Sequence, residues 1–542
     1  MKQNLILIAL VGLGLLLGCE KSPSRAASAK IPAGDLLLRS HFIGTTRLFT
    51  DTNAAKLKQI WALPDSAVFR EQTLDKLARA PFLALGDQLD KGTDDQAAMF
   101  RPLLDDLLAA ESFVEWRGPV GQPAEFALAV QLEDARAKVW QTNLRQVMTA
   151  WKLGAPTDAK AGGYDGWEAK KKSGANLVSF TRAGQWVVVG FGSEQETLRS
   201  NVLAKIKADG RPIAVASGYW LDAEGDLERW KTWLPALAPY QLPAAHLTLN
   251  NRSDYVRTTL KLTTKTPHGW KNEPWLMPTN LIRDPLISFT AAQGIAPLLQ
   301  QLEFFQKLNL QPMPNQFTAW AYAGLPFLHY ASVPAQKGPD QLKRLTKPLN
   351  DEVFSGPLTN RLNGSIDMET NGAKLTWHGL PFIVPWMEAL KIKGQEYFIA
   401  GLFPPQFTTN AVPPDLFAQV MGRTNLAYYD WEITQEQIAH WRALNQLGEI
   451  VTHHPLTSTN LASQRWERAV APLLGNTATE ITVISPSEFT LVRKSHLGLT
   501  GLELVTLTRW FESAEFPKYG YYPVPSKKVS PTRSPTVPPP KK

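Results

Sequence analysis

An α+β fold of repeated strand–helix–hairpin units, with antiparallel sheets and helices packed on one face, is what this 542-residue sequence predicts. Three observations lead there. Apolar strands followed by amphipathic helices recur along the chain, and tight-turn signals separate paired strands between them. Hydrophobic residues make up 44% and charged residues 20%, which is globular composition and enough for a sizeable core. Strands joined by tight turns must pair antiparallel, so uninterrupted βαβ winding is disfavoured.

The strand-to-helix units come in order. Leu36–Ile43 precedes a helix near Asn53–Leu63, Glu125–Gln131 precedes Ala135–Leu153, and Ile213–Leu221 precedes Asp226–Leu237. Leu286–Thr290 precedes Ile295–Leu308, and Asn425–Trp431 precedes Glu436–Leu447. Leu227, Trp230 and Leu234 follow i, i+3, i+7 spacing, a core-facing helical stripe. Asn371-Gly372, the strongest short hairpin signal, separates Ser365–Thr370 from Ala373–His378. Ala183-Gly184 separates Leu177–Arg182 from Gln185–Val189 in the same way, and Asn251-Arg252-Ser253 separates Leu247–Asn250 from Tyr255–Thr263. Ser485-Pro486-Ser487 divides Glu480–Ile484 from Glu488–Arg493. Three capping boxes mark helix starts: Ser193 with Glu196, Thr434 with Gln437, and Thr500 with Glu503. The recurrence suggests duplicated units, read as domains over 34–265 and 266–513. The boundary falls where Lys265 to Pro274 breaks periodicity.

The two ends differ from the body. The formal charge is +8, yet residues 517–542 alone carry six lysines and arginines, no acid and eight prolines. The body is therefore close to neutral, which disfavours nucleic acid as a partner because that needs a net basic face. Proline density predicts that the tail, 514–542, is extended and unpacked. At the other end Lys2 precedes an uncharged run from Leu5 to Leu17, a length suited to a secretory leader and too short to span a bilayer comfortably.

The single cysteine, Cys19, ends that run, and Leu16-Leu17-Gly18-Cys19 resembles the lipobox of bacterial lipoproteins. The resemblance implies a leader over 1–18, a diacylglyceryl thioether on Cys19, an acylated (palmitate-type) amine and a polar tether over 19–33. Leu17 departs from the usual alanine or serine. Glu20, in place of aspartate, resembles the Gram-negative signal for transfer to the periplasmic face of the outer membrane. The body, through Ile31-Pro32-Ala33-Gly34-Asp35-Leu36 and Val187-Val188-Val189-Gly190-Phe191-Gly192-Ser193, resembles an uncharacterised bacterial family of secreted or anchored proteins. No catalytic residue follows from that resemblance.

The candidate chemistry is sparse. One cysteine excludes disulfide scaffolds, redox pairs and cysteine-rich metal sites. Gly190-Phe191-Gly192 invites a nucleotide reading, but Gln195 stands where the third glycine belongs. Glu436 and His440, with His453 and His454 beyond, have spacing that suits a divalent ion, and an ordinary helix surface explains them better. Asp87, Asp90, Asp94 and Asp95 form an acidic stretch without the order of calcium ligands. Asp222, Glu224, Asp226 and Glu228 read as acids favoured at a helix N-terminus. Of the 18 tryptophans, Trp186, Trp230, Trp377 and Trp441 sit at core positions, and Trp270 and Trp275 in the inter-unit segment are unexplained. No catalytic, metal or cofactor residue is therefore assigned. The expectation is a lipid-anchored envelope protein with a binding or scaffolding role. It touches the membrane through Cys19 and anionic envelope polymer through its basic tail. The alternative is an envelope hydrolase acting on glycans, with paired carboxylates beside tryptophan.

Overall fold

The computed structural model describes residues 36–85, 94–118, 124–150, 154–170, 177–192, 197–214, 218–232, 241–271, 273–355, 362, 366–404, 410–451, 461–513 and 516–517. Cys19 and its leader, Asp87, Asp90, the Ser193–Glu196 box, His453, His454 and the tail beyond Pro517 lie outside them.

The described strands form one mostly antiparallel-sheet body of mixed α and β structure. The first ten are β1 (Leu36–Phe42), β2 (Ser112–Arg117), β3 (Glu125–Gln131), β4 (Thr157–Ala161), β5 (Tyr164–Lys170), β6 (Leu177–Ala183), β7 (Trp186–Gly192), β8 (Leu221–Asp226), β9 (Ala244–Arg252) and β10 (Tyr255–Thr263). The next ten are β11 (Leu286–Gln293), β12 (Gln316–Tyr322), β13 (His329–Ala335), β14 (Asp367–Asn371), β15 (Lys374–His378), β16 (Trp386–Ile392), β17 (Gln395–Gly401), β18 (Leu426–Ile433), β19 (Asn476–Ser485) and β20 (Glu488–Ser495). Every pairing is antiparallel. The spatial order of the first set is β4-β5-β6-β7-β3-β2-β1-β8-β9-β10. That of the second is β14-β15-β16-β17-β13-β12-β11-β18-β19-β20. Strand n and strand n+10 thus occupy the same place, and β10 pairs β20 to join the halves into one open sheet.

Local details follow the same repeat. The ladders of β1 and β11 slip at Leu36/Leu38 and at Leu286/Ser288. Each strand then runs into a left-handed glycine, Gly44 at φ 79° and Gly294 at φ 75°. Both glycines are needed for space as well as for φ. A Cβ on Gly44 would lie 2.4 Å from the Ala109 carbonyl oxygen, and one on Gly294 would lie 1.9 Å from the Trp270 ring. Backbone cannot give way as a side-chain tip can, so Gly44→Ala should lower stability by about 2–3 kcal/mol, combining left-handed strain with overpacking. Urea unfolding measures this, and a loss under ~0.5 kcal/mol would refute the clash.

Connections, more than strands, distinguish the halves. Between β1 and β2 run two long helices, α1 (Pro64–Leu85) and α2 (Asp94–Ala109). Of the acidic stretch Asp87–Asp95, expected as a loop, Asp94 and Asp95 instead open α2. Helix α3 (Asp134–Ala150) follows β3, and α4 (Thr197–Asp209) follows β7. In one cluster, Leu74, Leu77, Phe100, Leu103 and Leu104 of α1 and α2 meet Trp140 and Val147 of α3 over Phe126, Leu128 and Val130 of β3. In another, Leu198, Val202, Leu203 and Ile206 of α4 meet Ala127 and Ala129. Side chains alternate along a strand, so these clusters lie on opposite faces of β3. Helices therefore reach both faces there, where one-sided cover was expected. The second half carries only the short helical turns Ala296–Leu299 and Glu303–Leu308 between β11 and β12. Helix α5 (Gly338–Leu349) follows β13 and α6 (Pro414–Met421) follows β17. Helices α7 (Thr434–Val451) and α8 (Ala462–Val470) lie between β18 and β19, and α9 (Gly501–Glu512) follows β20.

The four tight hairpins fall where their turn residues place them, with Gly184 and Gly372 at positive φ and Ser253 at φ 60°. The Thr500–Glu503 capping box forms, and Thr434, which starts α7, directs its hydroxyl to Thr477 at 2.7 Å. One strand is displaced from its expected position. Of the described residues in the expected strand Ile213–Leu221 only Leu221 is in a strand: β8 begins there and runs through Asp226, followed by a 3₁₀ turn over Leu227–Thr232. The ladder to β1 wins over hydrophobicity because the acids have partners: Glu224 meets Arg39 at 2.5 Å and Asp222 meets His246 at 2.8 Å. Trp275 is buried with its indole N–H donating to the Arg423 carbonyl at 3.1 Å, so the inter-unit segment is packed into the second half.

Candidate functional site

Among the described residues, the face that α1 and α2 cover in the first half is left partly open in the second. There the sheet floors an elongated cavity of about 620 Å³. Its floor is a row of small side chains directly opposite one another: Thr290 on β11, Ala319 on β12, Ala331 on β13 and Ala400 on β17. The matching row of the first half, placed by the shared ladder slips, is Ser40, Val114, Leu128 and Val189. Larger side chains and two long helices fill what three alanines and a short connection leave empty.

The two ends of this trough differ in chemistry. Toward β15 and β16 it is apolar, lined by Leu349, Val353, Phe354, Trp377 and Met387, with Phe354 and Trp377 stacked at 4.4 Å. Toward β18 and β20 lie Tyr428, Asp430, Glu432, Arg493 and Glu503. Five strand intervals separate β18 from β16, so the trough runs roughly 24 Å across the sheet. Gln437 and Trp441 of α7, His329 of β13 and Leu502 of α9 also line it.

Asp430 and Glu432 are two apart on one strand and share a face. Their counterparts on β8 are Ala223 and Gly225, which meet Ser40 and Leu38 as Asp430 and Glu432 meet Thr290 and Ser288. Both acids are almost fully buried. Asp430 accepts the Thr290 hydroxyl at 2.7 Å, and Glu432 accepts the Gly501 N–H, at the start of α9, at 2.7 Å. Burial raises the carboxyl pKa of both, that of Glu432 to about 7, with those hydrogen bonds pulling the other way. Arg493 is occupied elsewhere. It grips Glu503 with two bonds of 2.6 and 2.9 Å and also donates to Thr479 and Gly498. Neither Asp430 nor Glu432 has an ion-pair partner among the described residues.

His329 and His440 face each other, Nε2 to Nδ1 at 3.1 Å. Burial and the neighbouring imidazole hold His329 down at about 4, and burial lowers His440. Both rings are therefore neutral near pH 7. His440 turns inward to His329 while Glu436 is exposed, so this pair does not converge on an ion. Among the described residues no group of three metal-type ligands occurs. Gly190-Phe191-Gly192 is the last part of β7, with Gly190 and Phe191 paired on both sides and Gly192 on one, and offers no phosphate loop. Trp186 and Trp377 are buried as expected; Trp230 packs partly buried against the first-half core, and Trp441 reaches the trough. Asp430 and Glu432 were not singled out from the sequence, although the departure from the Ala223/Gly225 pattern was there to be read.

No family model matches the chain, and no curated protein or solved structure is similar to it. Among the described residues no helix is long and apolar enough to cross a membrane.

Proposed function

We propose that this is a lipid-anchored cell-envelope protein that binds a small ligand in the trough of its second half. The trough carries the reading: one face of a duplicated sheet is filled in one copy and kept open, with buried polar groups, in the other. Pockets of this size lined by aromatic and aliphatic side chains with a few polar groups are the usual form of ligand sites. Cys19 at the end of a short leader supplies the anchor, and three acyl chains exceed the two signals that stable attachment needs. The periplasmic face of the outer membrane is the location the residue after Cys19 suggests. The basic tail adds a salt-screened contact with anionic envelope polymer. In cells, Cys19→Ser should move the protein from the membrane to the soluble fraction and remove the acyl mass from the intact protein. Truncation after Phe516 should weaken binding of a lipid-free form to envelope fragments at low salt only. Unmodified Cys19 in mature wild-type protein, or tail-independent binding, would refute the respective part.

A second reading, an envelope hydrolase acting on glycans, is favoured by one observation. Asp430 and Glu432 open on the same trough with Cα atoms roughly 7 Å apart by strand geometry, in a site lined by tryptophans. Turnover of an envelope glycan by the wild type, lost in both Asp430→Asn and Glu432→Gln, would select it.

A further inference from the structure

We propose that the acidic end of the trough receives the protonated amine of an amphiphilic ligand whose elongate apolar body lies along the alanine floor toward Phe354 and Trp377. This rests on the trough being a ligand site, and it names the class of ligand. Three features carry it. Among the described residues, Asp430 and Glu432 are two buried carboxyl groups held by neutral donors, the Thr290 hydroxyl for Asp430 and the Gly501 N–H together with the Thr434 hydroxyl for Glu432. Among the described residues the nearby cation is Arg493, whose field opposes the effect of burial on both acids without outweighing it and whose hydrogen bonds are spent largely on Glu503, so a ligand cation would complete the charge balance. Gln437, which lines the same trough and is only 2% exposed, has an amide Nε2 with no acceptor. A hydroxyl or carbonyl beside the amine would satisfy it. From that end to the opposite one the lining changes from acidic to apolar over roughly 24 Å, the polarity of an amphiphile.

Buried carboxyls facing a cation have a thermodynamic signature. Burial raises the proton affinity of Asp430 and Glu432, and an arriving ammonium favours their charged forms, so binding should release protons. The full chain is titrated with three probes that share one ten-carbon body: decylamine, 1-decanol and decanoate. Decylamine should bind at least about tenfold more tightly than either of the others, because charge-assisted contacts add to the same apolar burial. Its apparent enthalpy should differ between phosphate and Tris buffers at pH 7 by the proton release. The Asp430→Asn/Glu432→Gln double variant, whose amides each keep one acceptor oxygen, should lose the preference and the buffer dependence while still binding decanol. Ala331→Trp, which fills the trough floor, should block all three probes. Equal affinity for decylamine and decanol, preference for decanoate, or tighter binding of the uncharged sugar N,N′-diacetylchitobiose would overturn the amine assignment. In those cases probe binding sensitive to Ala331→Trp would leave the ligand-site reading intact. If none of the probes binds, both fall.

Discussion

Phe289→Ala should destabilise the protein by about 3–5 kcal/mol, the range for emptying a fully buried phenylalanine site. Phe289 lies on β11 with no exposed surface, on the face opposite the trough. Its ring meets Phe417 of α6 at 6.1 Å and Tyr429 of β18 at 6.3 Å, within a cluster that also holds Trp320 and Val420. Paired on both sides by β12 and β18, the strand cannot collapse inward to close the hole. Part of the cost is lost burial and part the lost edge contacts between rings. The urea midpoint should fall with the slope unchanged. A loss under ~1.5 kcal/mol would show that α6 follows the missing ring.

Glu432→Gln should act in the opposite direction. Its folded pKa, about 7, stands above the ordinary 4.5, so the native state holds this proton more tightly than the unfolded chain. Stability from this group is therefore fully present below about pH 4.5, falls as pH rises toward 7, and stays reduced above that. The deficit reaches up to roughly 3 kcal/mol, and an amide that keeps the Gly501 contact removes it. The variant should gain stability at pH 8, show little change at pH 4.5, and lose the part of the slope between that Glu432 contributes. Asp430, shifted in the same direction, contributes a slope of the same sign and remains in the variant. Glu111 and Glu512 are held below the usual range despite burial, by His41 and by bonds from Ser463 and Gln72 respectively, so their contributions grow with pH and oppose the trend. The comparison of variant with wild type cancels them. Equal stability of the two proteins at pH 8 would contradict a buried, unpaired carboxylate. A protein that retains such a cost is behaving as binding sites do when they trade stability for function.

Sequence features with a local cause were legible. Asn371-Gly372 and Ala183-Gly184 make hairpins because those turns need left-handed residues, and Thr500 caps its helix because Glu503 reaches back. Features that depend on distant partners were less so. Leu74, Leu77 and Ala78, like Phe100, Leu103 and Leu104, carry helical spacing, but Pro81 and Pro102 stand inside those helices and mask the pattern. Strand β8 reads as polar because its acids find Arg39 and His246 only in the folded sheet. The trough is hardest to see, since Tyr428, Asp430 and Glu432 resemble a solvated strand face. Only the register across β11, β12, β13 and β17 reveals that alanines lie opposite one another, where the described residues leave a cavity above them.

The seam between β10 and β20 sets a timetable for biosynthesis. Strands β1 to β10 find their partners within residues 36–263 of the growing chain, apart from the free side of β10. Val256 waits for Ser495, about 240 residues later in the chain, so an N-terminal-first emergence leaves the edge unpaired for nearly half of the sequence. During that interval the nascent protein exposes a nine-residue edge, Tyr255–Thr263, a template for pairing with neighbouring chains. Arg257 and Lys261 sit on that edge, and charge is the usual guard against premature pairing. When β20 arrives, Lys261 gains Glu488 at 3.0 Å, so one side chain that repels the wrong strand marks the right one.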